Sequence, residues 1–259
     1  MMKEGEILYL LDDKGRRYWF NLKKNMIKIE GLGILDGNKI IGAESGISVE
    51  IAGKKFFVLR PGVPELMESI ERGTQVIISK DAAYIVHFLN LKCGDVVVEA
   101  GAGSGCLTIA LLNAIQPYGK VISFELRQEF AQKAKKNVMR SQLEKNWELR
   151  VEDIKTANLE MPVDAVVLDM PDPWEAIDNV TKMLKGGGRF CAYVPNVNQL
   201  ENTVKQLRAE SYVEIRAFEN LQRPMEVHEG GTRPAFEMLG HTGYLIFARK
   251  VFREKPSVN

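Results

Sequence analysis

The chain is poor in the residues and patterns that mark several large classes of protein. Of its 259 residues only three are cysteines, Cys93, Cys106 and Cys191. An odd count without C-x-x-C spacing offers no disulfide framework and fits reduced thiols in a cytoplasmic protein. Histidine is equally scarce, and no His or Cys pair has metal-ligand spacing, so no metal is expected. No apolar run approaches the roughly 20 residues that cross a bilayer. The first apolar stretch, Ile7 to Leu11, meets Asp12 and Asp13 too soon for a secretory leader. Charge of one sign is missing too: 35 Lys and Arg against 34 Asp and Glu leave +1. That balance argues neither for nor against a polyanionic partner. A Ser nucleophile elbow and a P-loop are also absent.

What is present is an ordinary globular composition, 45% hydrophobic and 27% charged. The length suits one full-sized domain plus a small one. Residues 1–66 read as short strands broken by glycines: Ile7 to Leu11, Arg16 to Leu22, Ser48 to Ile51 and Lys55 to Leu59, closed by Pro61 and Pro64. Residues 67–259 alternate instead. Strands are expected at Val96 to Ala100, Val121 to Glu125, Leu149 to Asp153, Ala165 to Asp169, Phe190 to Val194, Tyr212 to Phe218 and Tyr244 to Val251. One helical stripe, Ala82, Ile85, Val86 and Leu89, precedes them, and others lie between them. Phe130, Ala134 and Val138 trace one such face, while Lys133, Lys135, Lys136 and Arg140 make a basic, solvated one. A further stripe from Ala176 to Leu184 is expected to stop at Gly186-Gly187-Gly188. Strands alternating with helices imply βαβ units, hence an α/β fold with a mostly parallel sheet covered on both faces.

Between the first such strand and its helix lies Glu99-Ala100-Gly101-Ala102-Gly103-Ser104-Gly105. Glycines there permit a tight turn and bring backbone N–H groups to a ligand at a helix N-terminus. The spacing is G-x-G-x-G rather than the G-x-G-x-x-G of dinucleotide sites. A carboxylate at Glu99 would repel a pyrophosphate but suits the cationic aminoacyl group of S-adenosylmethionine. Glu125, Asp153 and Asp169 are expected at strand ends, where open α/β sheets bind ligands. Glu125 lies about 20 residues past the loop, the distance at which a Rossmann acid meets ribose hydroxyls. Each acid taken singly could equally be a helix cap. Asp169-Met170-Pro171-Asp172-Pro173-Trp174 adds a stiff, aromatic loop beside the expected crevice.

These runs occur in order with Arg72-Gly73-Thr74-Gln75, Lys80-Asp81-Ala82-Ala83, Tyr193-Val194-Pro195 with Gln199, Arg233-Pro234, and Gly240-His241-Thr242-Gly243-Tyr244. Together they resemble the tRNA (adenine-N1)-methyltransferases that modify position 58 of the T-loop, in the single-gene form of archaea and bacteria. The glycine loop is common to class I methyltransferases; the Asp-x-Pro-Asp-Pro-Trp and Gly-His-Thr-Gly runs are more specific. The resemblance implies a seven-stranded, Rossmann-like methyltransferase sheet, a small N-terminal β domain, tRNA as partner and a homotetramer. The implied cofactor is S-adenosylmethionine, held by Gln75, Glu99, Gly101, Gly103, Ser104, Gly105, Cys106, Leu107, Glu125, Phe130, Asp153 and Asp169. Asp169 and Tyr193 are the implied catalytic residues. Ile78-Ser79 departs from an aromatic or His followed by Pro in many members, and Glu237 from a basic residue in some. Other readings of the same fold are a methyltransferase for another RNA, a protein or a small molecule, or a non-catalytic RNA-binding subunit.

Overall fold

The computed structural model describes residues 1–71 and 75–252, so Arg72-Gly73-Thr74 of the resemblance lies outside the described residues. The chain divides into two compact units after Ser69. In the first, β1 (Ile7–Leu11), β2 (Arg17–Asn21), β5 (Ser48–Ile51) and β6 (Lys54–Leu59) form an antiparallel sheet in the order β2-β1-β6-β5. Leu8 faces Phe20 and Leu10 faces Val58 across β1, filling the core with Leu22, Ile40 and Phe56. A second hairpin, β3 (Met26–Ile29) with β4 (Gly33–Asp36), and a helix α1 (Val63–Glu68) were not foreseen. Gly31 and Gly33 read as loop punctuation, yet they shape a hairpin. Pro64 read as a stop sits instead in the first turn of α1, where no backbone N–H is needed.

The second unit runs α2 (Ser79–Phe88), β7 (Val96–Ala100), α3 (Cys106–Ile115), β8 (Lys120–Phe124), α4 (Gln128–Ser141), β9 (Trp147–Arg150), β10 (Val163–Leu168), α5 (Ile177–Met183), β11 (Leu184–Val194), α6 (Val197–Ala209), β12 (Tyr212–Glu219), β13 (Met225–His228), β14 (Gly231–Pro234) and β15 (Tyr244–Lys250). Seven strands join in the order β12-β15-β11-β10-β7-β8-β9, the class I methyltransferase sheet that the resemblance implies. From β11 to β9 they are parallel; β15 runs antiparallel to both β11 and β12. The central strands are mostly Val, Ala and Leu, broken only by Glu99 in β7 and Asp164 in β10, because helices cover both faces. Helix α3 is apolar almost all round and buried, whereas α4 buries Phe130, Ala134 and Val138.

Two expectations need correction. The strand expected at Leu149 to Asp153 is β9, ending at Arg150, so Asp153 lies in the loop beyond it. The triple glycine does not stop α5, which ends at Met183; it lies inside β11 as a bulge. The hairpin β13–β14 adds to the expected strands; its polar, glycine-interrupted sequence gives no buried face to signal it. After β7 the chain goes first to β8 on one side and later to β10 on the other. That reversal opens a crevice at the carboxyl ends of β7 and β10.

Candidate active site

A cavity of about 500 Å³ lies at that crevice. Its floor is the glycine loop, and two of its glycines have steric reasons. Gly101 has φ +83°, and a Cβ there would fall 1.8 Å from the Asp169 carbonyl oxygen. Gly105 has φ +78°, and a Cβ would press on Ala134 and Val138 of α4. Only a residue without a side chain allows both the turn and these approaches. Gly103 N–H donates to Glu125 Oε2 at 2.9 Å, and Asn137, buried on α4, donates to the Ser104 carbonyl at 2.8 Å. The loop is thereby fastened to β8 and α4 before any ligand arrives.

The four acids behave differently. Glu125 caps with both oxygens, taking the N–H of Gly103 and that of Arg127 at 3.0 Å. Asp153 Oδ1 accepts the Lys155 N–H at 2.9 Å. Glu99 lies under the loop, 1% exposed, where Thr108 of α3 and Ser123 of β8 donate to it. Burial pushes its carboxyl up to about 7 against the pull of those two hydrogen bonds. Asp169 is half-buried on the cavity wall, and among the described residues no donor reaches its carboxylate. Burial first, and the charge of Glu125 second, push it up to about 7. The helix-cap alternative therefore describes none of the four: α3 and α4 begin without a side-chain cap, and Glu125 and Asp153 take the N–H groups of the turns that follow them.

A second group of side chains comes together from four distant segments. Lys80 Nζ donates to Asp81 Oδ1 at 2.8 Å, to Thr242 Oγ1 at 2.8 Å and to the Asn220 carbonyl at 2.6 Å. Thr242 Oγ1 donates in turn to Asp81 Oδ2 at 2.7 Å, and Asn220 returns a bond to the Lys80 carbonyl. Gln75 donates to the Thr242 carbonyl at 3.3 Å. Gly243 lies flat against the Tyr193 ring, where a Cβ would come within 2.4 Å of Cζ. Burial raises the Tyr193 phenol to about 12, with Thr242 in hydrogen-bonding reach of it. His241 bridges Glu219 Oε1 at 2.7 Å and the Pro195 carbonyl at 2.9 Å, and both raise its pKa.

Of the expected cofactor residues, the cavity wall unites Gln75, Gly101, Gly103, Ser104, Cys106, Leu107, Glu125, Asp153 and Asp169. Glu99, Gly105, Phe130 and Tyr193 are not on it. Phe130 lies beneath the Arg127 guanidinium, 3.8 Å from its ring centre. Sequence reasoning passed over Lys155, which lines the cavity and clamps Asp172 and Glu175 of the Pro-rich loop. It also missed the pairing of Lys80-Asp81 with Thr242, since nothing local in the sequence links the two runs. Gln199 donates to the Pro171 carbonyl from α6 and leaves its own Oε1 buried without a partner among the described residues.

Among the described residues the wall carries five acids (Glu125, Glu152, Asp153, Asp169, Asp172) against Arg127 and Lys155, a formal excess of three negative charges when Asp169 is ionised. Such a cavity fits a cationic sulfonium ligand and opposes a pyrophosphate. The volume suits a nucleoside-sized molecule, and the glycine cradle leaves backbone rather than side chains facing it.

Residues 55–231 match the sequence family described as GCD14, tRNA methyltransferase complex GCD14 subunit. The chain is 34% identical to the tRNA (adenine(57)-N(1)/adenine(58)-N(1))-methyltransferase TrmI of Methanocaldococcus jannaschii, over 93% of each chain. It is 31% identical to the tRNA (adenine(58)-N(1))-methyltransferase TrmI of Thermus thermophilus, over 94% of this chain and 96% of that one. Among solved structures, the tRNA (m1A58) methyltransferase TrmI of Aquifex aeolicus superposes with a TM-score of 0.81 at 29% identity, covering 97% and 99% of the two chains. A SAM-dependent O-methyltransferase of Thermotoga maritima superposes at 0.88 with 34% identity, covering 98% and 96%.

Proposed function

This chain belongs to the family of the tRNA methyltransferase complex GCD14 subunit, and from that premise we propose that it methylates N1 of adenine 58 in the tRNA T-loop. It is a tRNA (adenine-N1)-methyltransferase that uses S-adenosylmethionine. The observation that carries the assignment of chemistry is the Asp169 carboxylate on the wall of an acid-lined cavity, with no donor among the described residues.

S-adenosylmethionine, when bound, supplies an electrophilic methyl group on a sulfonium. Adenine N1 is neutral and has a lone pair, so no base need deprotonate it first. The difficulty is the positive charge that spreads over the purine as the new bond forms. Asp169 answers it by accepting the exocyclic N6–H, a bond that strengthens as the charge develops. Glu125 keeps free lone pairs toward the cavity for ribose hydroxyls, and Asp153 takes a polar edge of the nucleoside. Gln75, the loop N–H groups and the helix start at Cys106 and Leu107 hold the rest of the cofactor. Glu99 serves from beneath, tying α3 and β8 to the loop. Tyr193, fixed by Gly243 and Thr242, forms a flat wall for the target base, which must leave the folded T-loop to be reached. Residues 1–66 are assigned to tRNA capture or assembly and 67–259 to catalysis. The working form is assigned as a cytoplasmic homotetramer, in keeping with the resemblance. Among the described residues no helix is long and apolar enough to cross a membrane, and no group of His, Cys, Asp and Glu could hold a metal.

The test is nucleoside mass analysis of unmodified tRNA incubated with methyl-labelled cofactor. We expect 1-methyladenosine, lost when adenine 58 is replaced by guanosine. Product at adenine 57 would match the wider range in the archaeal relative's name. A second reading has one observation in its favour: a carboxyl near 7 could also take the proton of a hydroxyl acceptor. A 2′-O-methylated nucleoside in that digest would favour it and sink the N1 assignment.

A further inference from the structure

The bulge in β11 builds a second charged site at the far end of the sheet. Val163 pairs with Leu184 and Ala165 with Arg189, so β10 advances two residues while β11 advances five. Each glycine of the bulge is required there. A Cβ on Gly186 would lie 2.2 Å from the Phe252 ring, Gly187 has φ +75°, and a Cβ on Gly188 would lie 2.9 Å from the Lys185 carbonyl. Beside this bulge is a cavity of about 220 Å³ walled by Lys92, Lys185, Arg189 and Arg249 against Asp95 and Asp164, four positive charges to two negative.

The two acids are already engaged. Asp95 pairs with Lys92 at 2.9 Å, and Asp164 pairs with Lys185 at 2.6 Å while accepting the Val96 N–H. That leaves both arginines without a carboxylate among the described residues. They are direct cross-strand partners, β11 to β15, an arrangement in which like charges repel. Both are also held in place: Arg189 Nη1 donates to the Phe88 carbonyl at 3.0 Å, and Arg249 Nε to the Gly187 carbonyl at 3.1 Å. Among the described residues, most of their five N–H groups each have no acceptor. An adjoining smaller cavity is walled by the same two arginines and Arg216, with Glu214 as its one carboxylate. Two anchored guanidiniums lining one cavity from paired strand positions offer the donors that the oxygens of one tetrahedral anion need.

We propose that Arg189 and Arg249, flanking the triple-glycine bulge, form a phosphate-binding site separate from the methyl-transfer cavity. Ala165, beside Arg189, lies four residues before Asp169, roughly 13 Å along the strand. The same phosphate chemistry is presented by an RNA backbone and by free phosphate. The RNA source rests on the proposed function; the site itself does not.

Two arms test it on the full-length protein. In the first, inorganic phosphate is added at constant ionic strength, with chloride as control. Wild type should melt higher with phosphate, and Arg249→Glu, which sets a carboxylate opposite Arg189, should show no such rise. In the second, tRNA binding is measured against salt for wild type and Arg249→Gln. The variant should bind roughly tenfold more weakly, as for one lost charge-assisted contact, with a salt slope shallower by about one. Unchanged S-adenosylmethionine affinity in both variants certifies their folding. A changed slope identifies RNA backbone, and a phosphate shift alone identifies free phosphate. If wild type gives no phosphate shift and Arg249→Gln leaves tRNA binding and its slope unchanged, the proposal is overturned. Should wild type fail to methylate tRNA at all, the phosphate arm still decides the site.

Discussion

Asp81 and Asp169 are aspartates of the same unit, and they stand in opposite electrostatic situations. Asp81 is fully buried, yet Lys80 and Thr242 meet both of its oxygens. Asp169 keeps an open side toward the cavity, yet among the described residues it has no donor, and it is driven up to about 7. Burial alone therefore does not separate an acid that ties segments together from one left open toward a cavity. The difference lies in the partners: a satisfied carboxylate fixes neighbouring segments, and an unsatisfied one is held ready for a ligand that brings the missing donor.

The largest expected effect strikes the satisfied region. Lys80→Met leaves Asp81 buried and uncompensated, which should cost about 3–5 kcal/mol of stability. Chemical denaturation would show it, and a variant as stable as wild type would erase the contrast. Next comes Asp169→Asn, which keeps the shape and removes the charge. Turnover in single-turnover assays should fall about 10²–10³-fold, with cofactor affinity changed far less and the melting temperature no lower. Normal turnover in a well-folded Asn variant would end its assigned role.

Glu125→Ala sits between the two cases, because Glu125 both organises the loop and faces the cavity. Loss of its charge-assisted bonds, about 1.5–3 kcal/mol each, should weaken cofactor binding by calorimetry while Asp169 chemistry persists. Unchanged affinity would remove Glu125 from the site. The smallest effect is in pH. Asp169 and Glu99 have raised folded-state values near 7, so the native chain holds more protons than the unfolded chain between about pH 4 and 7. Their contribution to stability is present below that window and is lost as pH rises through it. Asp169→Asn should flatten part of that slope in melting curves. For activity the sign reverses: kcat/KM should rise with pH through about 7 as the carboxylate forms, and a flat profile would contradict it.

Much of the fold was legible because its signals are local. The strands β7, β8 and β10 are short β-rich runs closed by glycine or an acid, and α4 shows its buried face in the spacing of Phe130, Ala134 and Val138. Errors came where one residue type has two uses. Pro64 opens a helix as well as ending a segment, and Gly186-Gly187-Gly188 bends a strand instead of stopping a helix. The cavity was legible in outline through the glycine loop, Glu125 and Asp169, whereas Lys155 looked like any surface lysine.

By its own pattern, the sequence determined where strands give way to helices, that the loop after β7 must turn on glycine, and which acids follow strands. Those properties depend on residues within a few positions of each other, through backbone sterics and hydrophobic period. Tertiary structure alone decided that Glu99 would sink beneath the loop while Asp169 faced the cavity. It alone decided that Lys80 and Asp81 would meet Thr242, 162 and 161 residues away. The reason is that desolvation and hydrogen-bond satisfaction are set by whatever the packed chain brings alongside a group, and sequence distance carries no trace of that.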